Sequence, residues 1–411
     1  MQFLNKTSKQ SKQVVLLYAS TFLGTLLGLV CSIINTRFLA PVDYGDVRYV
    51  QNIIQFIATI LLLGYFWSGA RLLALSENEQ KSREIRGSMI VILAITSVVL
   101  VFSMLVCALI HQNQPKIATL FLISTPVCVN ILFSNYIGNT AQGDNHIGRL
   151  SASRILPYLL YVPVGYFIYK QSGATSEKVM LLQWGIYTIV TFIIIISTSP
   201  SFKNFKNNFK ALNKENNEYG LQLYYGSLFM LGSTYIAGIS LGVFNSDNTN
   251  VGFYTLAMTV ASPVSLLPGI IGTTYFREFS KLDRIPEKVI RATLILTVLS
   301  CLCFIVLVKP IVRLLYTEEY AMVGTYAIWL SVGFGIQGIG DMINRYLGSH
   351  GLGNQIRNSS IACGTAKIIG FTLLVYIWDI NGAILTNIVA SSVYCLILFL
   401  YYFSIVKNKK L

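Results

Sequence analysis

The stretch "TRFLAPVDYGDVRY", Thr36 to Tyr49, crowds Arg37, Asp43, Asp46 and Arg48 directly behind a long, mostly apolar run. A related stretch, "DNTNVGFYTLA", recurs from Asp247 to Ala257. Between and around them the chain is hydrophobic to a degree that no ordinary soluble domain reaches: 54% hydrophobic residues, 12% charged, mean hydropathy +0.60. Apolar runs of about twenty residues, long enough to cross a bilayer, recur almost end to end.

Twelve such spans are read at 13–35, 47–70, 88–110, 117–140, 150–169, 179–199, 220–243, 251–275, 290–308, 322–346, 357–377 and 383–405. They do not alternate polar and apolar residues as barrel strands do, so they are helices and the fold class is all-α, integral to a membrane. Most of the 31 lysines and arginines fall in connections on one side. They include Lys6, Lys9 and Lys12 at the start, Arg149 and Arg154, Lys203 to Lys214, Arg277 to Arg291, and Lys407, Lys409 and Lys410 at the end. This bias places both termini in the cytoplasm and makes the net charge of +14 topogenic rather than a nucleic-acid footprint. The basic first residues resemble a signal n-region, but the apolar segment behind them is too long, so a retained first helix is expected.

The seven cysteines lie within spans and form no CxxC, and His111, His146 and His350 sit in separate loops, so reduced structural thiols and no metal or cofactor are expected.

Laying Gly45 on Gly252 superposes the two quoted stretches, and laying Gly143 on Gly351 superposes "GDNHIGRLS" on "GLGNQIRNS" at nearly the same offset. The chain therefore reads as a duplication: a six-helix lobe at 1–200, a basic cytoplasmic linker at 201–219, and a second lobe at 220–411. An even number of spans per copy makes the repeats parallel, an architecture that sets a substrate cavity between lobes.

Helical spacing puts Arg48, Asn52, Gln55 and Thr59 on one face of the second span, read as facing a wet cavity, since such a stripe is costly against lipid. Thr21, Thr25, Gly28, Ser32 and Asn35 share a face of the first span, which helix–helix hydrogen bonding explains well. Lys367 stands mid-span in the eleventh helix, where a lysine costs about 2.5–3.5 kcal/mol. It is either a cation for an anionic substrate or half of a buried pair with Asp341, although Asp341 can also pair with Arg345 on its own helix. Prolines 126, 157, 163, 263 and 268 fall within spans and permit kinks.

The stretch from Ile34 to Ile53, with Arg37, Leu39, Pro41, Tyr44 and Gly45, resembles the first-loop pattern of bacterial Wzx-type O-antigen flippases. These belong to the multidrug/oligosaccharidyl-lipid/polysaccharide exporter superfamily. Phe38 and Ala40 stand where Leu and Gly are more usual. The resemblance implies a non-enzymatic flippase in the bacterial inner membrane that moves an undecaprenyl-pyrophosphate-linked oligosaccharide to the periplasmic leaflet by alternating access. Arg37, Arg48, Arg71, Arg154 and Lys367 are then the candidate cations for its pyrophosphate, Arg48 and Lys367 foremost, with Asn52 and Gln55 for sugar hydroxyls; Arg71 and Arg154 read equally as positive-inside anchors and Arg37 as a residue that fixes its loop. Asp341, Arg345 and Asp46 are the groups for ion coupling or charge pairing. A glycan polymerase and a chain-length regulator are partners implied by the same likeness. Two other readings stay open: a drug/cation exporter of that superfamily, which should carry buried acids, and a membrane glycan polymerase, which would need a large extramembrane loop.

Overall fold

Glycine, proline and residues in left-handed backbone cut an otherwise continuous run of helix. The computed structural model describes residues 2–408, with side chains from 16 onward except at 18, 267, 273, 277 and 408. The lysines at 6, 9, 12, 409 and 410 and Arg277 lie outside that description.

The first half comprises α1 (Gln2–Phe38), α2 (Pro41–Ile60), α3 (Tyr65–Ala74), α4 (Glu79–Ile110), α5 (Pro115–Ser124), α6 (Asn130–Gly143), α7 (Ile147–Ser172), α8 (Ser176–Ser197) and α9 (Phe205–Glu215). A π turn at Asn216–Gly220 leads into α10 (Leu221–Ser227), and after a second at Leu228–Gly232 come α11 (Ser233–Phe244), α12 (Thr249–Ala261), α13 (Leu266–Thr274) and α14 (Phe276–Phe279). The chain ends in α15 (Glu287–Leu315), α16 (Met322–Ser349) and α17 (Gly353–Asn408).

The all-α expectation is borne out. Among the described residues seven helices are long and apolar enough to cross a membrane, and eight if α2 and α3, bent by 58°, count as one span. At about 1.5 Å per residue, the 56 residues of α17 run far beyond a bilayer core of about 30 Å. The chain resolves this at Asp379 (φ 52°, ψ −132°), where two helices are joined across a kink. The expected spans at 357–377 and 383–405 are those two.

Local chemistry explains the other interruptions. Leu63 and Gly64, both at positive φ, break the second span. Their neighbourhood is satisfied from the π turn and α10: Asn216 Nδ2 donates to the Leu63 carbonyl at 3.0 Å and Tyr224 OH to that of Ile60 at 2.8 Å. Pro126 sits in the gap between α5 and α6, and Pro263 in the 3-10 turn before α13. Two helix starts carry side-chain caps: Asn78 Oδ1 accepts from Lys81 N at 2.8 Å and Thr175 Oγ1 from Lys178 N at 3.3 Å.

The described residues form two compact units. Unit 1 holds the chain up to Leu39 together with Ile53–Tyr225, and unit 2 holds Ala40–Asn52 together with the chain from Gly226 onward. In unit 1, α1 packs along α7, α3 against α6, and α8 against both α6 and α7. In unit 2, α16 is central, flanked by α12, α13, α15 and α17, with a core around Phe279, Met342, Tyr346, Tyr394 and Tyr402.

Residues 201–219, read from sequence as a linker, carry α9, which packs on α3 and α4, and most of the π turn, which packs on α3, all within unit 1. Buried Leu212 and Asn208 supply the contact, and Arg71 Nη1 meets Glu215 Oε1 at 2.7 Å. The first residues of α2, in turn, group with unit 2 rather than with the helices that precede them.

Candidate functional site

Three glycines bring α2 against α11 and α12 inside unit 2. A Cβ on Gly45 would stand 1.9 Å from the Asn248 carbonyl oxygen, one on Gly238 2.2 Å from Asn52 Nδ2, and one on Gly242 2.2 Å from Tyr49. Small residues at such crossings let helix backbones meet where no aqueous hydrophobic effect drives them together. Asn52, placed by sequence in a wet stripe, is thus packed on a glycine, and its Nδ2 donates to the Arg48 carbonyl at 2.8 Å. Asp46 accepts from Asn248 Nδ2 at 2.8 Å.

Arg48 is half-buried. Its Nε donates to Tyr44 OH and its Nη1 to Gln51 Oε1, each at 2.9 Å, and its guanidinium lies 4.9 Å from the Tyr44 ring centre. Lys367 is 6% exposed and its Nζ donates to Thr234 Oγ1 at 3.2 Å. The buried pair with Asp341 does not form. Asp341 Oδ1 instead accepts from Tyr394 OH at 3.1 Å, Arg345 lies exposed, and no carboxylate pairs with Lys367 among the described residues. The tyrosine competes because it reaches the carboxylate across the α16–α17 contact.

In unit 1 the sequence-derived cations separate by environment. Arg37 is exposed at the end of α1, and Gln55 is half-buried on α2. Arg71 is half-exposed and engaged by Glu215 and by the Tyr219 ring at 4.8 Å. Arg154 differs: it lines an open cavity of about 400 Å³ bordered by α1, α6, α7 and α8. Gly24 admits it, because a Cβ there would lie only 3.2 Å from the Arg154 carbonyl oxygen, so α1 and α7 run close together. Arg154 Nη1 donates to Thr21 Oγ1 at 2.6 Å. Around the pair stand Thr25 from α1, Ser134 and Gly138 from α6, Ser153, Pro157 and Tyr158 from α7, and Tyr187 and Thr191 from α8. Among the described residues the wall carries this cation and no carboxylate.

The polar stripe of the first span therefore divides. Thr21 and Thr25 face the cavity, whereas Ser32 and Asn35 are buried. Asn35 Nδ2 donates to Gln183 Oε1 at 3.2 Å, and the Asn35 amide oxygen accepts from Tyr161 OH. Helix–helix hydrogen bonding thus holds Asn35 in that second half, and in the first it reaches Thr21 through Arg154 while Thr25 bonds only within α1.

Sequence reasoning missed Tyr158, Tyr187, Ser134, Gly138 and Thr191. The small residues Ser134 and Gly138, four apart on α6, were the only signal available. It also missed Arg86, which is 1% exposed. Arg86 Nε lies 2.9 Å from Asp144 Oδ2 and Nη2 lies 2.6 Å from Glu79 Oε1, and the side chain donates to the Thr198 carbonyl.

Solved structures share this many-helix architecture. The fold is similar to a multidrug resistance MATE family transporter of the MOP superfamily in an inward-facing conformation (TM-score 0.74, 13% identity, 94% of this chain and 95% of that one). It is also similar to the lipid II flippase MurJ in an inward closed conformation (TM-score 0.74, 16% identity, 96% and 90%). A third likeness is to a MOP superfamily transporter from Pyrococcus furiosus Vc1 (TM-score 0.60, 14% identity, 96% of each). At such identities these show the fold alone, and with the apolar helices it is that of a multi-pass membrane protein. No curated protein matches the chain. The family model described as polysaccharide biosynthesis protein matches residues 11–283, and the chain belongs to that family. The resemblance carried by Arg37 to Gly45 is thereby borne out, and the neighbours are transporters and a flippase, in keeping with a chain that is not an enzyme.

Proposed function

We propose that this protein is a flippase for a lipid-linked oligosaccharide. The cargo is an undecaprenyl-pyrophosphate-linked O-antigen or similar repeat unit, carried from the cytoplasmic to the periplasmic leaflet of a bacterial inner membrane by alternating access. Both termini face the cytoplasm in this reading, and the two six-helix lobes are parallel repeats. The observation that supports it best is the unit-1 cavity, where an arginine with no acidic partner among the described residues stands amid hydroxyls. That is the complement of an anionic, hydroxyl-rich head group and the opposite of what a cationic drug requires. Arg48 and Lys367 are further cations for the substrate, and Asn52, Gln55, Arg37 and Arg71 are secondary contacts. A glycan polymerase and chain-length regulator are the expected partners.

The test is glycan display in a strain lacking its own flippase, complemented with wild type, Arg48→Ala, Lys367→Ala or Arg154→Ala at matched membrane levels. Restoration by wild type and loss in at least one variant supports the reading. A well-expressed wild type that restores nothing in its cognate strain rejects it.

A further inference from the structure

We infer that the unit-1 cavity is by itself a subsite for one anionic glycoside, with the pyranose ring against Tyr158 and an oxyanion on Arg154. The inference deepens the flippase reading and rests on it for the class of substrate.

The direction of the hydrogen bonds in the wall carries the argument. Thr21 Oγ1 donates to the Leu17 carbonyl at 2.7 Å, Thr25 to that of Thr21 at 3.0 Å, Ser153 to that of Leu150 at 2.8 Å and Thr191 to that of Tyr187 at 2.7 Å. Each hydroxyl proton is spent on its own helix, so what these side chains present to the cavity is lone pairs. Pro157 has no N–H to give the Ser153 carbonyl four residues earlier, which leaves another acceptor at the same level. These acceptors, beside the hydroxyls of Ser134, Tyr158 and Tyr187, are complementary to a ligand rich in O–H groups, such as a sugar.

Arg154 supplies the opposite polarity. A guanidinium has five donors in a planar fork. Thr21 takes one of them, and no carboxylate pairs with Arg154 among the described residues. Its remaining donors suit an oxyanion, which a fork can hold through two bonds.

The ring platform is equally fixed. Tyr158 meets Tyr187 edge-to-face, with centroids 5.2 Å apart and planes at 76°. Gly28 of α1 borders it, with its Cβ position 3.9 Å from the Tyr158 ring, an ordinary contact distance. The negative face of an aromatic ring receives the polarised C–H groups of a pyranose. Tyr187 OH in turn accepts from Gln183 Nε2 at 3.4 Å, which ties the platform to the buried Asn35 and Tyr161. A volume of about 400 Å³ lies toward the small end of ligand sites, about 300–1,000 Å³, and suits a single substituted ring rather than a whole repeat unit.

The oxyanion has two sources of shared chemistry: a carboxylate on the sugar, or the phosphate at its anomeric carbon. The experiment uses the full chain in lipid nanodiscs and saturation-transfer NMR with methyl β-D-glucuronide, α-D-glucose 1-phosphate and methyl β-D-glucoside. At least one anionic probe is expected to bind about tenfold or more tighter than the neutral glucoside, a difference of about 1.4 kcal/mol. Preference for the glucuronide assigns Arg154 to an acidic sugar, and preference for the phosphate assigns it to the lipid linkage. Arg154→Gln should remove the preference.

Gly138→Leu guards against a folding artefact, because a Cβ at Gly138 meets nothing within 4 Å and the side chain grows from open space at the cavity wall. It should abolish binding at an unchanged unfolding temperature. Equal binding of the neutral glucoside, no binding of either anion, or binding that survives Gly138→Leu overturns the subsite. Glycan display by wild type would leave the flippase reading standing in any of those cases, so the two fail separately.

Discussion

Gly45 lies against the backbone of Asn248, so close that a Cβ would stand 1.9 Å from its carbonyl oxygen, while Gly252 returns the contact with its own Cβ position 3.2 Å from Gly45 Cα. The two glycines that superpose in the repeated stretches are thus the two that touch inside unit 2. Neither backbone can yield without moving its helix. Gly45→Ala should therefore cost about 1–3 kcal/mol or more, and Gly252→Ala less, because its nearest atom is the Pro41 carbonyl oxygen at 3.1 Å. Thermal unfolding in detergent checks the order, and equal effects would contradict it.

Arg86 and Asp144 make a second testable pair. With Arg86 1% exposed and the Asp144 side chain 5% exposed, Arg86→Met leaves a carboxylate buried without its cation, a loss of about 3–5 kcal/mol. Arg86→Met with Asp144→Asn should recover much of it. Burial pushes the Asp144 carboxyl above its ordinary value, with Arg86 opposing. A raised folded-state pKa means that the contribution is present below the unfolded pKa and lost as pH rises through the folded one. The deficit of Arg86→Met should therefore shrink at acid pH and grow toward neutrality. A deficit independent of pH would rule out the orphaned carboxylate as its cause.

Lys367 separates stability from transport. Its ammonium has Thr234 as hydrogen-bond partner and sits mid-helix, so Lys367→Met removes an insertion cost of at most about 2.5–3.5 kcal/mol. The variant should unfold at or above the wild-type temperature while glycan display falls at least about tenfold. A lowered unfolding temperature would make Lys367 a structural residue.

Asp379 holds the kink in α17. Its carboxylate accepts from Asn245 Nδ2 at 2.7 Å and from Asn250 Nδ2, while its backbone occupies a region that L residues rarely adopt. Asp379→Ala keeps the strain and loses both acceptors, for a cost of about 2–4 kcal/mol. Asp379→Gly loses the acceptors but relieves the strain, and should be the milder change. Unfolding temperatures in the reverse order would show that the chain entropy a glycine adds to the unfolded state outweighs the strain it relieves.

The helical architecture was legible because water is excluded from a bilayer core: runs of about twenty apolar residues have few other ways to satisfy their backbone. Eleven and twelve were separable as spans even though only the kink at Asp379, with no loop, divides them within α17. Residues 201–219 read only as a basic linker because a short polar helix has no membrane signature. Its identity as an element comes from contacts such as Asn208 Nδ2 with Glu84 Oε2 at 3.1 Å.

By itself, the sequence determined the membrane class, the all-α fold and, through the glycine-centred stretch after the first span, the family. It also supplied the roster of cations. Only the tertiary structure decided which cation faces what. Arg71 went to Glu215 and the Tyr219 ring, Arg48 to Tyr44 and Gln51, Lys367 to Thr234, and Arg154 to a cavity. Hydropathy is a property of a local window. Whether an arginine meets acid, aromatic ring or open volume depends on neighbours such as Thr21, which reach it across the chain once α1 has packed on α7.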